Sequence, residues 1–179
     1  MAFDSRRAFR GAIAGAIAAG AWAAQQRADI ALFGVDYDDT ELLGKVFTQG
    51  EGSRPIGLAL HIANGAAFGA VYAIASKDLP GPGWLKGTAA GMAENLATWP
   101  LVGLVERVHP ARDELPELAG DPAAFAQATW RHVLFGALMG ELEARFNRED
   151  SEAEFAEYAP HVSSNGHGEF RGSALTDQG

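Results

Sequence analysis

Three ionisable side chains, His61, Glu94 and His132, stand inside runs of apolar and small residues, and two amides, Asn64 and Asn95, lie beside them in sequence. A carboxyl grouped with two imidazoles can hold and hand on a proton, and a pair of imidazoles can ligate a haem or a metal. Each group also has a plainer use. A carboxyl in a helix can pin packing through a hydrogen bond, with Asn95, Asn64 or Arg131 as partner, and a histidine can donate one hydrogen bond across an interface. The metal reading lacks its usual support, because the chain has no His-x-x-x-His pair and no cysteine. No metal or other cofactor is therefore expected, and no catalytic residue stands out: there is no Ser/His/Asp arrangement, phosphate-binding loop or dinucleotide fingerprint. The acidic run Asp36, Asp38, Asp39 and Glu41 lacks the glycine and terminal glutamate of a calcium loop and reads as a solvated connection.

The elements that must position these groups are marked by glycine. Gly11/Gly15, Gly65/Gly69, Gly87/Gly91 and Gly136/Gly140 repeat one Gly-x-x-x-Gly spacing in four Ala-rich stretches. Glycine costs about 1 kcal/mol relative to alanine in a solvated helix. The pairs are thus expected to mark helix-packing faces, as they do in bilayers, where small residues let backbones approach closely. Helices are expected over residues 7–26, 55–76, 84–108 and 123–147, each near the length of about 20 residues that spans a bilayer core. Pro55, the Leu79-Pro80-Gly81-Pro82-Gly83 break and Asp121-Pro122 punctuate them, and Trp99-Pro100 should bend the third. A short surface helix fits Thr40 to Phe47. The acidic, then Ser/Gly/Asn/His-rich residues 149–179 read as a disordered tail. The fold expected is all-α, a four-helix transmembrane bundle.

The helices also match in pairs. Arg10-Gly11-x-x-x-Gly15 answers Lys86-Gly87-x-x-x-Gly91 at an offset of 76, and His61-x-x-x-Gly65-x-x-x-Gly69 answers His132-x-x-x-Gly136-x-x-x-Gly140 at 71. A tandem pair of helical hairpins is the expected architecture. At about 100° per residue, Gly65, Gly69 and Tyr72 fall within about 80° of His61 around their helix. The same arithmetic puts Glu94 with Gly87 and Gly91, and His132 with Gly136 and Gly140. Glu94, His61 and His132 are accordingly expected to face the bundle interior as a polar cluster with Asn64 and Asn95.

Bulk composition is less decisive. Of 179 residues 47% are hydrophobic and the mean hydropathy is -0.06, low for a lipid-embedded chain, but charge is segregated: residues 55–76 carry no Asp, Glu, Lys or Arg. The net charge of -9 argues against nucleic acid as a partner. Arg6, Arg7, Arg10, Lys77, Lys86, Arg145 and Arg148 fall on one side of a four-span topology, and the two long acidic connections on the other. The positive-inside rule then sets both termini in the cytoplasm. The bilayer is the first partner expected, with a second copy or another membrane protein as a further one.

The stretch from His61 through Arg145 resembles the YagU-like family of small bacterial inner-membrane proteins. The residues that carry the resemblance are the histidine-led helix ending near Tyr72, Trp84-x-x-Gly87-x-x-x-Gly91, Trp99-Pro100-Leu101-x-Gly103-Leu104 and His132. It implies a small multi-pass inner-membrane protein associated with acid or stress tolerance. Glycine spacing and charge segregation lead to the expectation of a non-enzymatic bundle, either structural or permissive to a proton or small solute. A soluble or peripheral four-helix interaction module, motivated by the polar fourth helix, and a bis-histidine haem or metal protein are the alternatives.

Overall fold

In the computed structural model, residues 4–148 are described, and the expected tail at 149–179 lies outside them. The described residues are all helical, with six α-helices: α1 Ser5–Phe33, α2 Asp39–Lys45, α3 Ser53–Ala75, α4 Gly83–Thr98, α5 Val102–Val108 and α6 Pro122–Phe146. Local chemistry sets their ends. The Asp4 carboxylate accepts from the Arg7 N–H at the start of α1, and Gly34, at φ 74°, terminates it in the left-handed region that disfavours a Cβ. Asp121 caps α6 and Pro122 fills its first position, where no N–H is needed.

Two expected boundaries are corrected. α1 runs seven residues past 26, to Phe33, because Ala28, Ile30, Ala31 and Leu32 continue a good helical sequence and Asp29 finds a buried partner. The single helix expected over 84–108 is two: Pro100 lacks the N–H to continue the ladder, a 3-10 turn forms at Trp99–Leu101, and α5 follows.

The packing is antiparallel and pairwise. α1 lies against α3 through Gly11, Gly15, Gly65 and Gly69, and α4 against α6 through Gly83, Gly87, Gly91, Gly136 and Gly140; all of these are buried. A methyl placed on Gly15 would overlap the Gly65 carbonyl, and one on Gly87 the Gly136 carbonyl. α2 packs on α3 in the same way, Gly44 against Ser53 and Gly57 against Thr40. The two pairs then meet through α1 and α6, around Ala14, Ala18, Ala19, Trp22, Tyr72, Phe135 and Met139. Contact runs in the order α3, α1, α6, α4, which leaves α3 and α4 to border a cleft.

The contacts also correct the repeat register. Gly11 opposes Gly69 and Ala73, whereas Gly83 opposes Gly140 and Ala144; Gly15 opposes Gly65 and Gly69, whereas Gly87 opposes Gly136 and Gly140. The equivalence of α1 with α4 is therefore 72 residues (11 to 83, 15 to 87), one turn short of the offset of 76. The run Gly83, Gly87, Gly91 fits the four-residue spacing in either register, and only the partner helix decides between them. In the corrected register Trp22 is the counterpart of Glu94 (22 to 94) and His61 of His132 (61 to 132).

Candidate functional site

That equivalence places two matched contacts at one level of the bundle. The Trp22 indole and the His61 imidazole meet edge to face, with centroids 5.1 Å apart, and Glu94 Oε2 lies 2.5 Å from His132 Nε2. Trp22 also touches the His132 ring at 4.9 Å and Phe135 at 6.1 Å, so one indole joins the two histidines. These groups line a cavity of about 210 Å³ between α3 and α4, together with Tyr37, Asp39 and Phe68; the exposed Asn64 and Thr98 stand at its edge.

Hydrogen bonding fixes the proton inventory. His132 Nδ1 lies 2.7 Å from the Ala128 carbonyl, an acceptor, so Nδ1 carries a hydrogen. Nε2 is then either the lone pair of a neutral ring facing a protonated Glu94, or the second N–H of an imidazolium facing a carboxylate. Both descriptions place one proton between the two groups and leave the pair neutral. His61 differs. The Ala19 carbonyl is the hydrogen-bond partner of its ring, and Nε2 is buried without any partner. The hydrogen therefore sits on Nδ1, and Nε2 presents a bare lone pair.

Above the cavity a second network is locked around Arg131, which is fully buried. Its Nε and Nη2 donate to the two oxygens of Asp29, each at 2.6 Å, its Nη1 to Asp39 Oδ2 at 2.7 Å and its Nη2 also to the Tyr37 carbonyl at 2.8 Å. The Tyr37 ring covers the guanidinium at 5.0 Å. Gln127 donates to Asp29 Oδ1 at 2.7 Å and Trp22 Nε1 to Asp39 Oδ2 at 2.9 Å. Two carboxylates thus share one guanidinium, and the network carries one net negative charge beside the cavity. At the opposite end of the bundle a smaller network forms: Arg7 reaches Glu143 at 2.6 Å, and Asn147 donates to Glu143 Oε1 at 3.0 Å.

The expected polar cluster is assembled only in part. Glu94 and His132 are joined directly and His61 is joined to them through Trp22, but Asn64 is exposed at the rim, and Asn95 turns away to donate to Thr129 Oγ1 at 3.2 Å. Glu94 takes His132 as its partner, and Arg131, one of the three residues expected to serve it, goes to Asp29 and Asp39. The solvated reading of the acidic run is corrected for two members. Asp39 is recruited by Arg131, and Asp38 accepts from the Thr40 and Glu41 N–H groups to start α2. Sequence reasoning missed Asp29 and Gln127; the signal was available, since both are polar residues within otherwise helical Ala-rich stretches. The metal reading also overlooked a Glu-x-x-His spacing at Glu106 and His109, yet both serve loops: Glu106 accepts from Leu118 and Ala119 N–H groups, and His109 Nε2 meets the Leu42 carbonyl at 3.0 Å. No group of three or more His, Cys, Asp or Glu side chains able to hold a metal occurs among the described residues.

Asp38 gives a test of how α2 is held over the cavity. Burial raises its pKa, but hydrogen bonds from the Thr40 hydroxyl, Gln26 and the Glu41 and Thr40 N–H groups outweigh burial and hold the carboxyl below its ordinary value. A depressed folded-state pKa contributes stability above the unfolded pKa, and that contribution is lost as pH falls through the folded value. Asp38→Ala should therefore cost about 1 kcal/mol near neutral pH, the usual worth of a cap. The difference from the parent protein should vanish at acid pH in denaturant titrations followed by circular dichroism.

Comparison of the chain with protein-family models, with curated proteins and with solved structures found no match.

Proposed function

We propose that this chain is a non-enzymatic integral membrane protein that crosses the bilayer four times, through α1, α3, α6 and the bent segment formed by α4 and α5, and whose cavity between α3 and α4 takes up a proton or small polar solute. The observation that carries this reading is an inverted distribution of side chains. The largest fully buried ones include Arg131, Gln127, Glu143, Asn95 and Asp29, whereas Phe9 is 67% exposed, Val71 70%, Leu96 57% and Trp84 51%. In water this arrangement forgoes hydrophobic burial while bearing the desolvation of charge; in lipid the exposed apolar side chains are already in their preferred solvent. Glycine packing fits the same setting, where close backbone approach replaces the hydrophobic effect as the source of association.

Among the described residues, only α3 is long and apolar enough to qualify as a span by length and composition, with mean hydropathy 1.5. Windowed hydropathy counts every residue in a helix, including those facing its partners. α6 scores low because of Arg131, His132 and Glu143, which all pair inside the bundle, while Trp130 is exposed and Val133, Leu134 and Leu138 are partly so. The inner-membrane topology with both termini cytoplasmic, and kinship with the YagU-like family, are part of the same proposal. The alternative of a soluble or peripheral module draws on the single qualifying span. A bis-histidine haem or metal site is disfavoured because Glu94 already occupies His132 Nε2.

Alkaline carbonate washing of membranes separates the readings. Retention in the membrane pellet is the expected result, and release into the supernatant would make the chain peripheral or soluble. Reporter fusions at Gly50, Gly81 and Ala119 should place the first and third on one side of the membrane and the second on the other.

A further inference from the structure

A second and larger cavity, of about 570 Å³, lies between α5 with its preceding 3-10 turn and the connection from α5 to α6. Its size falls within the range of about 300–1,000 Å³ typical of small-molecule sites. Bonds hold the space open. The connection is latched onto α2 and the residues after it: His109 Nε2 meets the Leu42 carbonyl at 3.0 Å, Lys45 Nζ donates to the Glu114 carboxylate at 2.9 Å, and Gln49 Nε2 donates to the Pro110 carbonyl at 3.2 Å. A ligand entering it need not order the loop. The wall then selects the ligand. Trp99, Val102, Leu115 and Leu118 give it apolar surface, and its ionisable groups are engaged or stand out in solvent. Glu106 accepts from the Leu118 and Ala119 N–H groups, His109 is bonded at both ring nitrogens, and Arg107, Arg112, Asp113 and Glu117 are exposed. One acceptor is left over. Asn95 lines the cavity and is 1% exposed; its Nδ2 donates to Thr129 Oγ1, while its Oδ1 has no partner among the described residues and, unlike His61 Nε2, is not sealed from solvent. A charged ligand would lose its hydration without gaining a counter-ion, whereas a neutral aromatic one with a hydroxyl gains apolar contact and gives Oδ1 a donor.

We propose that this cavity binds a neutral phenol-like molecule, of the size of a phenol or naphthol, whose hydroxyl donates to Asn95 Oδ1 and whose ring lies against Trp99. The site is additional to the α3–α4 cavity, which has Trp22 on its wall where this one has Trp99, and it does not depend on the function proposed there.

Tryptophan fluorescence of the purified full-length protein in detergent at neutral pH tests it, because bromine quenches an adjacent indole. The probes are a bromonaphthol, its methyl ether, which has no donor, and the matching bromonaphthoate. Saturable one-to-one quenching by the naphthol is expected, with the naphthoate at least tenfold weaker. The saturable component should disappear in Trp99→Phe. It should weaken at least fivefold in Gly103→Leu: a Cβ on Gly103 meets only Ala119, at an ordinary 3.5 Å, and both residues line the cavity, so leucine fits and takes up part of the space. Asn95→Leu should weaken the naphthol at least fivefold and the ether less than twofold, and comparing the two probes between proteins cancels their partition into micelles. No saturable quenching, saturable quenching that survives in folded W99F, unaltered affinity in folded G103L, tighter binding of the naphthoate, or equal losses for naphthol and ether in N95L would each overturn the proposal. The comparison of naphthol with naphthoate uses the unaltered chain and stands even if the variants do not fold.

Discussion

Replacing Arg131 by Met should destabilise the bundle by about 3–5 kcal/mol, the usual cost of stranding a buried ion-pair partner. Met fills much of the volume, so the loss would come from charge. Asp29, 1% exposed, would keep Gln25 and Gln127 as donors but lose both guanidinium bonds, and Asp39 would keep Trp22 and the Tyr37 hydroxyl but lose its cation. Arg131→Lys should recover only part of the stability, because an ammonium cannot make the two parallel bonds to Asp29 while also reaching Asp39 and the Tyr37 carbonyl. Adding Asp29→Asn to R131M should return a fraction, since it removes one of the two stranded charges; residues in direct contact couple by about 0.5–3 kcal/mol. Denaturant unfolding in detergent followed by circular dichroism measures all three. A loss below about 1 kcal/mol in R131M would mean that the carboxylates are hydrated and that Arg131 does not hold the α1–α2 connection over the cavity.

A change of similar size is expected at the glycine seams. Gly15→Val and Gly87→Val each place a branched side chain where the opposing atoms are backbone, the Gly65 and Gly136 carbonyls, so no rotamer change can relieve the overlap and the helices must separate. Overpacking costs about 1–3 kcal/mol even where side chains can adjust, and the value here should reach or exceed the top of that range. The corrected register makes these two positions equivalent, so their losses should be alike. Gly20 provides the opposite sign within the same helix: no atom stands near where its Cβ would lie, and Gly20→Ala should be neutral or stabilising by up to about 1 kcal/mol. Helical content and thermal unfolding of the three variants would show the contrast. Losses at Gly15 and Gly87 no larger than the effect at Gly20 would mean that the helices are farther apart than described.

These two predictions draw on different amounts of sequence information. The Gly15 and Gly87 seams are legible because a four-residue spacing of the smallest residue has a local meaning on a helix, independent of what lies opposite. The punctuation at Pro82, Pro100 and Asp121-Pro122 is legible for the same reason, since a missing N–H or a capping carboxylate acts within one turn. The Arg131 network is another matter. Its members sit at 29, 37, 39, 127 and 131, and nothing local to any of them requires the others. Asp39 in particular looks like the third member of a surface acidic run until α6 brings a guanidinium to it.

The chain by itself determined that the fold is all-α, where three of its long helices lie and which glycine faces they bury, because helical periodicity converts spacing into direction. Tertiary structure alone decided which glycine meets which, and so a register of 72 in place of 76. It also decided that Glu94 pairs with His132 while His61 keeps an open lone pair, and that Asn64 and Asn95 stand aside. A four-residue repeat looks the same after sliding by one turn. Hydrogen-bond partners are chosen by distances of a few ångströms between segments about 100 residues apart, which no spacing along one helix encodes.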